Sequence, residues 1–315
     1  MTEPRRRAAV NVDVDGLYLY DRIHGHARSS GNTAEFSAAA HDPTAWTKGV
    51  TRFLDLFARC DVTGTFFVVA QDLAHPEVRA VLAECVAAGH EIASHSLTHP
   101  YTLSRLPDAA MAAELSNARK QLQDATGQSV SGFRAPGYVL SDALLRAIAD
   151  AGHTYDSSRF PCPPYQLAKA AVIGLYRAHG RPSGSIPEWP NVWFGKRTPY
   201  VDRLADGRAL VELPIATLPG TRLPYIGTSL IAIGALGYDA IAPLLARTDW
   251  LNFECHAIDL TDHVADGIPA RLAVQPDQRV PLAKKWPLFV RALESLARHH
   301  EVRTLGHWAE SPDRF

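Results

Sequence analysis

The chain has 315 residues and a formal charge of −1, with acidic and basic residues spread along its length. That balance offers no field for gathering polyanions, which argues against a nucleic-acid partner. The opening "MTEPRRRAAVNVDVDG" carries three arginines but no apolar run of signal-peptide length, and no later stretch is long and unbroken enough to span a bilayer, so a soluble, cytoplasmic protein is expected.

In chain order, "RAAVNVDVDG" is a β-branched run stopping at Asp and Gly, a strand that ends in a loop. A polar stretch with glycine and histidine follows, an inserted loop at about 17–43. "AWTKGVTRFLDLFARC" has apolar residues at helical spacing and "VTGTFFVVA" reads as a strand. "PEVRAVLAECVAAG" is a helix, "HEIASH" a strand, and "PDAAMAAELSNARKQLQDATG" a helix closed by glycine. "SVSGFRAPG" and "HTYDSS" are strands flanking the serine-capped helix "SDALLRAIADAG". From about 160 to 208 the chain is rich in Pro and Gly, a second inserted loop. "RALVELPIATL" and "DWLNFECHAIDL" are strands again, and "LAKKWPLFVRALESLARHH" is an amphipathic helix. "PYIGTSLIAIGALGY" suits an apolar acceptor or, the preferred reading, is a buried helix. Strands alternating with helices imply parallel pairing, either a doubly wound sheet or a barrel, and the length fits one domain spanning 1–315. Cys60, Cys85, Cys162 and Cys255 lie far apart without C-x-x-C spacing, so reduced, buried thiols are expected.

In parallel architectures functional groups gather at the carboxyl ends of strands. Asp13 and Asp15 share one side of their strand, and two adjacent carboxylates are costly unless a cation or proton separates them. His95 and His99, four apart, face one ion if their segment turns helically. Two histidines and a carboxylate with an open fourth position make a catalytic zinc arrangement, which Asp15, His95 and His99 fit.

Taken in order, "VDVDG", "SHSLTH", "FRAPGY", "YDSSRFP" and "FECHAID" resemble the five motifs of the polysaccharide deacetylases, carbohydrate esterase family 4. The resemblance covers residues 9–160 and resumes at the "VELPIATL" and "NFECHAIDL" strands. It implies an α/β fold, a distorted and incomplete (β/α) barrel, and a metal-dependent N-deacetylase. It implies Asp13 as the base, Asp15, His95 and His99 as ligands of Zn2+ (Co2+ or Ni2+ being alternatives), and Arg134 as the residue that orients Asp13. It further implies His256 as the acid that protonates the leaving amine, with Asp156 bonded to that imidazole. Main-chain amides of "APGY" would stabilise the oxyanion; Gly137 stands where the family commonly has tyrosine and is the preferred donor, with Tyr138 lining the pocket. The D-V-D spacing, in place of adjacent aspartates, is associated with members acting on unusual or small substrates. Glu254 shares a face with His256 and points into the site, toward either Arg134 or a cationic group of the substrate. His24, His26, Tyr18 and Tyr20 in the first loop are candidate substrate contacts, as are Trp189 and Trp193 in the second.

The expected activity is removal of an acetyl or formyl group from the nitrogen of an amino sugar, free or in a small or lipid-linked glycoconjugate. Two alternatives stay open: a glycosyltransferase using D-x-D to hold a nucleotide sugar's diphosphate, and a barrel that binds sugar without turnover.

Overall fold

The computed structural model describes residues 6–24, 42–180, 183–187 and 193–311. Nine strands form one sheet among these residues: β1 (Arg6–Val14), β2 (Thr65–Val68), β3 (Glu91–Ser94), β4 (Gly132–Phe133), β5 (Tyr155–Asp156), β6 (Tyr200–Arg203), β7 (Ala209–Glu212), β8 (Trp250–His256) and β9 (His300–Val302). Their order is β6-β7-β5-β4-β3-β2-β1-β8, with β9 beside the start of β1, and every pairing is parallel except β6 with β7. The curled sheet stops short of closure between β7 and β8. The segment after β7 fills that gap: the Ala216 amide donates to the Asn252 carbonyl at 2.9 Å and the Trp250 indole to the Pro214 carbonyl at 3.2 Å. This is the distorted, incomplete (β/α) barrel that the motifs imply.

Alternation along the strands sorts side chains into two cores. Val10, Val12, Phe66 and Val68 face outward against the helices, meeting Phe53, Phe57, Val81 and Leu293. Ala9, Phe67, Ala93, Tyr155, Leu213, Trp250 and Trp308 face inward and plug the bottom of the barrel. Above that plug lies a polar layer. Arg134, with no exposed surface, donates to Asp13 Oδ1 at 2.6 Å, to the Ser157 carbonyl at 2.7 Å and to Ser157 Oγ at 2.8 Å, and its guanidinium sits 4.1 Å over the Phe67 ring. Asn11 and Asn252 complete the layer, Asn11 accepting from Arg134 and donating to Asn252. Removing either charge of the Arg134–Asp13 pair would strand the other in the barrel, at about 3–5 kcal/mol.

Three expectations change. The stretch after β1 opens as a helix, Leu17–Ile23, while residues 25–41, and His26 with them, lie outside the described residues. The second inserted segment contains a sixteen-residue helix, Pro163–Ala178, led in by Pro163 and Pro164, which satisfy the first helical turn because proline needs no amide partner there. "PYIGTSLIAIGALGY" leads into the helix Gly227–Leu245, which buries Leu230, Ile231, Tyr238 and Leu245 but leaves its other side open to solvent, Leu236 being 87% exposed. All four cysteines are free and buried, as expected.

Candidate active site

The carboxyl ends of β1, β3, β4 and β8 meet at the mouth of the barrel above the Arg134 layer. Asp13 closes the β1–β8 ladder directly opposite His256. Two residues on, past the end of β1, Asp15 turns toward the loop that follows β3. Asp15 Oδ1 lies 3.6 Å from His95 Nε2 and 3.5 Å from His99 Nε2, and those two nitrogens are 3.1 Å apart. A tetrahedral zinc with bonds of about 2.1 Å separates its ligands by about 3.4 Å, so these three atoms outline one face of such a site. Their electronic state fits as well. The carbonyl of Arg134 can only accept, so His95 Nδ1, 2.8 Å away, carries the proton and Nε2 offers its lone pair. Burial, then the neighbouring His95, drives the His99 pKa well below its ordinary value and keeps that ring neutral. Among the described residues Asp15 Oδ1 is buried without a hydrogen-bond partner, and burial raises the carboxyl to about 6 against the pull of His95 and His256. A cation is what such an atom lacks.

The loop reaches this geometry without the helical turn that the four-residue spacing suggests. Ser96 and His99 both have left-handed backbones, with φ of 67° and 54°. Such strain persists only where surrounding bonds over-determine it. Glu114, on the helix Asp108–Thr126, accepts from the amides of Leu97 and Thr98 at 3.1 and 3.0 Å and from Thr98 Oγ1 at 2.7 Å. The His99 amide donates to Ser96 Oγ at 3.0 Å. Glu114 went unnoticed in the sequence because it is one polar residue among many on an amphipathic helix.

The other half of the mouth belongs to β8. Glu254 and His256 share a face, and Glu254 Oε1 lies 3.0 Å from His256 Nδ1. Tyr138 Oη donates to the same oxygen at 3.1 Å. Burial disfavours charge on His256, but Glu254, Asp13 and Asp15 outweigh it and lift the imidazolium to about 9. Burial likewise raises Glu254, with His256 and Arg134 pulling it back. The His256 backbone amide donates to Asp259 Oδ2 at 2.9 Å.

This corrects the role expected of Asp156: the carboxylate on the His256 imidazole is Glu254. Alternation on β5 turns Tyr155 and Ser157 inward, so Asp156 faces outward, where it accepts from Ser158 Oγ at 2.6 Å and shares a hydrogen bond with Glu212. Gly137 and Tyr138 both have left-handed backbones, with φ of 63° and 65°. The Tyr138 amide is engaged with the Ala135 carbonyl, and Lys169 holds the Gly137 carbonyl at 2.8 Å, which leaves the Gly137 amide as the candidate oxyanion donor.

Among the other candidates, Tyr18 donates to Asp72 at 3.0 Å and is occupied there, while His24 Nδ1 is 2.9 Å from the Tyr176 hydroxyl. Tyr20 is buried with a hydroxyl that has no hydrogen-bond partner among the described residues, and its pKa rises well above the ordinary value through burial and then the charge of Asp15. Tyr101, unnoticed in the sequence, matches it in both respects and sets its ring edge-on to His99 at 4.7 Å. Trp193 is half-buried, and Trp189 lies outside the described residues.

The family model for polysaccharide deacetylases matches residues 41–155, which include both histidines and Arg134. A chitooligosaccharide deacetylase of Bradyrhizobium sp. (strain ANU 289) is 35% identical over 101 residues, 31% of this chain and 44% of that protein. By these matches the chain is similar to the polysaccharide deacetylases over part of its length. It spans less than half the length of the curated relatives it matches. Among solved structures, a protein assigned to the polysaccharide deacetylases from Mycobacterium smegmatis is similar over 100% of this chain and 93% of its own, with a TM-score of 0.60 at 18% identity. The allantoinase Puue is similar over 98% and 91%, with a TM-score of 0.61 at 17% identity. At such identities both likenesses speak for the fold alone. Asp13, Asp15, Glu254 and His256 fall outside the matched family segment, and the barrel brings them to it.

Proposed function

We propose that the chain is a metal-dependent amide hydrolase that removes an N-acyl group, acetyl or formyl, from an amino sugar. The observation that carries this reading is the convergence of Asp15, His95 and His99 on one point, with Asp13 beside it and His256 across the ladder. Asp15, His95 and His99 would hold a divalent cation, zinc in our reading with cobalt or nickel as alternatives. Bound there, it would acidify water and polarise the amide carbonyl.

The chain's own residues handle the protons and the orientation. Asp13, fixed through Oδ1 by Arg134, offers Oδ2 to the proton of the attacking water. His256, held through Nδ1 by Glu254, presents Nε2 to the departing nitrogen and gives it the proton that a free amine needs. The Gly137 amide meets the oxyanion. Tyr20 and Tyr101 offer unmet hydroxyls to polar groups of the substrate.

The D-x-D glycosyltransferase reading is weaker on these contacts, because it would place both aspartates on one cation, whereas Asp13 is committed to Arg134. The binding-only reading leaves His256 charged and poised with nothing to protonate. Two names support a sugar substrate: that of the matched family and that of its chitooligosaccharide-deacetylating relatives. We place the reaction in the cytoplasm, on a small or lipid-linked glycoconjugate.

The test couples metal analysis of the purified protein to release of acetate or formate from N-acetylated and N-formylated amino sugars. One equivalent of divalent metal and acyl release abolished by a chelator are expected. A protein that takes up no metal and frees no acid from any such sugar would sink the proposal.

A further inference from the structure

The helix Gly227–Leu245 begins at the site and then leaves it. A Cβ at Gly227 would lie 2.0 Å from Asp259 Oδ2, the same oxygen that accepts from the His256 amide, so only glycine fits that start. The helix is long and apolar enough to cross a bilayer by length and composition. It does not do so here, because Leu230, Ile231, Tyr238 and Leu245 are packed into the outer core and Tyr238 hydrogen-bonds Ser295. The opposite side is exposed and apolar. After a break at Gly234 (φ 62°, ψ −168°), Leu236, Ala240 and Leu244 recur at four-residue spacing on one face, with Ile233 just before the break. Leu236 is the most exposed large apolar residue among those described.

Charge borders this stripe on one side. Asp239, the single acidic residue of the helix, is neutralised by Arg291 from the neighbouring helix Leu282–His299. Arg298, seven residues further on and so on the same face as Arg291, is close enough to act on Tyr238. Arg247 stands exposed just past the end of the apolar helix. Among the described residues neither Arg247 nor Arg298 has a carboxylate partner. An exposed apolar stripe edged by cations is the pattern of a surface that lies on an anionic membrane. A second copy fits less well, because antiparallel self-pairing would set the two arginine edges against each other.

We propose that this face seats on the surface of an anionic lipid bilayer, with Ile233, Leu236 and Leu244 at the acyl boundary and Arg247 and Arg298 at the headgroup phosphates. The inference is independent of the catalytic reading, since none of these residues touches the site. It does bring that mouth close to a membrane, because the docking helix starts against Asp259, whose carboxylate accepts from the His256 amide.

The experiment is co-sedimentation of the full chain with vesicles of phosphatidylcholine alone or mixed with phosphatidylglycerol, at low and high salt, with oligomeric state measured in parallel. Binding to the anionic vesicles, weakened by salt, is expected. Ile233→Ser/Leu236→Ser should cut the partition at least tenfold, and Arg247→Gln/Arg298→Gln about fivefold per cation removed. Both variants should keep the wild-type circular dichroism and melting temperature, since the altered side chains point away from the core. Absence of binding by the wild type overturns the proposal, as does equal binding by the serine variant. A dimer that the serine variant splits assigns the stripe to a second copy and overturns it equally.

Discussion

The two halves of the mouth differ in what holds their charges. On the β8 side the working pair is tied through one oxygen: Glu254 Oε1 meets His256 Nδ1 and Tyr138 Oη, and the His256 amide meets Asp259, while Glu254 Oε2 has no hydrogen-bond partner among the described residues. Across the mouth, Asp15 Oδ1 and His99 Nδ1 are buried without hydrogen-bond partners, on a loop with two left-handed residues. A carboxylate joined to an imidazole can hold its charge without a further ion. An incomplete trio is a demand for a ligand, and the strain around it is tolerated because Glu114 enforces it.

The sharpest way to break this contrast is Asp13→Asn, which keeps the shape of the base but not its function. Turnover should fall about 10²–10⁴-fold while the metal content of the purified protein is unchanged; full activity would remove Asp13 from the base role. Next, Glu114→Ala frees the loop amides and should weaken metal affinity about 10–100-fold in a competition titration, as loss of a group supporting metal ligands does. Unaltered affinity would mean that the loop holds its own shape.

On the β8 side, Glu254→Gln removes the chief charge that raises His256. The sign follows from the proton: an acid works only below its pKa, so activity should be lost as pH rises through about 9 in the wild type. In the variant that basic limb should move toward neutrality, by about a unit or more in a kcat/KM profile. A limb that stays in place would assign it to another group. The smallest effect is expected from Asp156→Asn, within about threefold in kcat and with no movement of that limb, since Asp156 faces away from the imidazole. A shift matching that of Glu254→Gln would restore the role that the motif resemblance gave it.

Much of this was legible in the sequence for a physical reason: period-two alternation is local. It put Asp13 on the working face of β1 and Glu254 on that of His256, and both hold. The same rule could not be applied to Asp156, because β5 is two residues long and only its neighbours show that Tyr155 is the inward one. His95 and His99 were visible but not how they converge, since nothing in "SHSLTH" announces left-handed backbones at Ser96 and His99. The helix Pro163–Ala178 was hidden by the prolines around it. The exposed side of Gly227–Leu245 was hidden differently: a run of Ala, Ile, Leu and Gly reads alike whether solvent or core lies against it.

The register of β1 with β8 carries a last consequence. Asp13 and His256 are cross-ladder partners, so the proposed base and the proposed acid are held one strand spacing apart, about 4.8 Å, by the backbone itself. Lengthening or trimming the surrounding loops can reshape which molecules enter. Inserting a single residue within either strand would swing one of the pair out of the barrel, so in this scaffold substrate choice is free to drift while proton traffic is not.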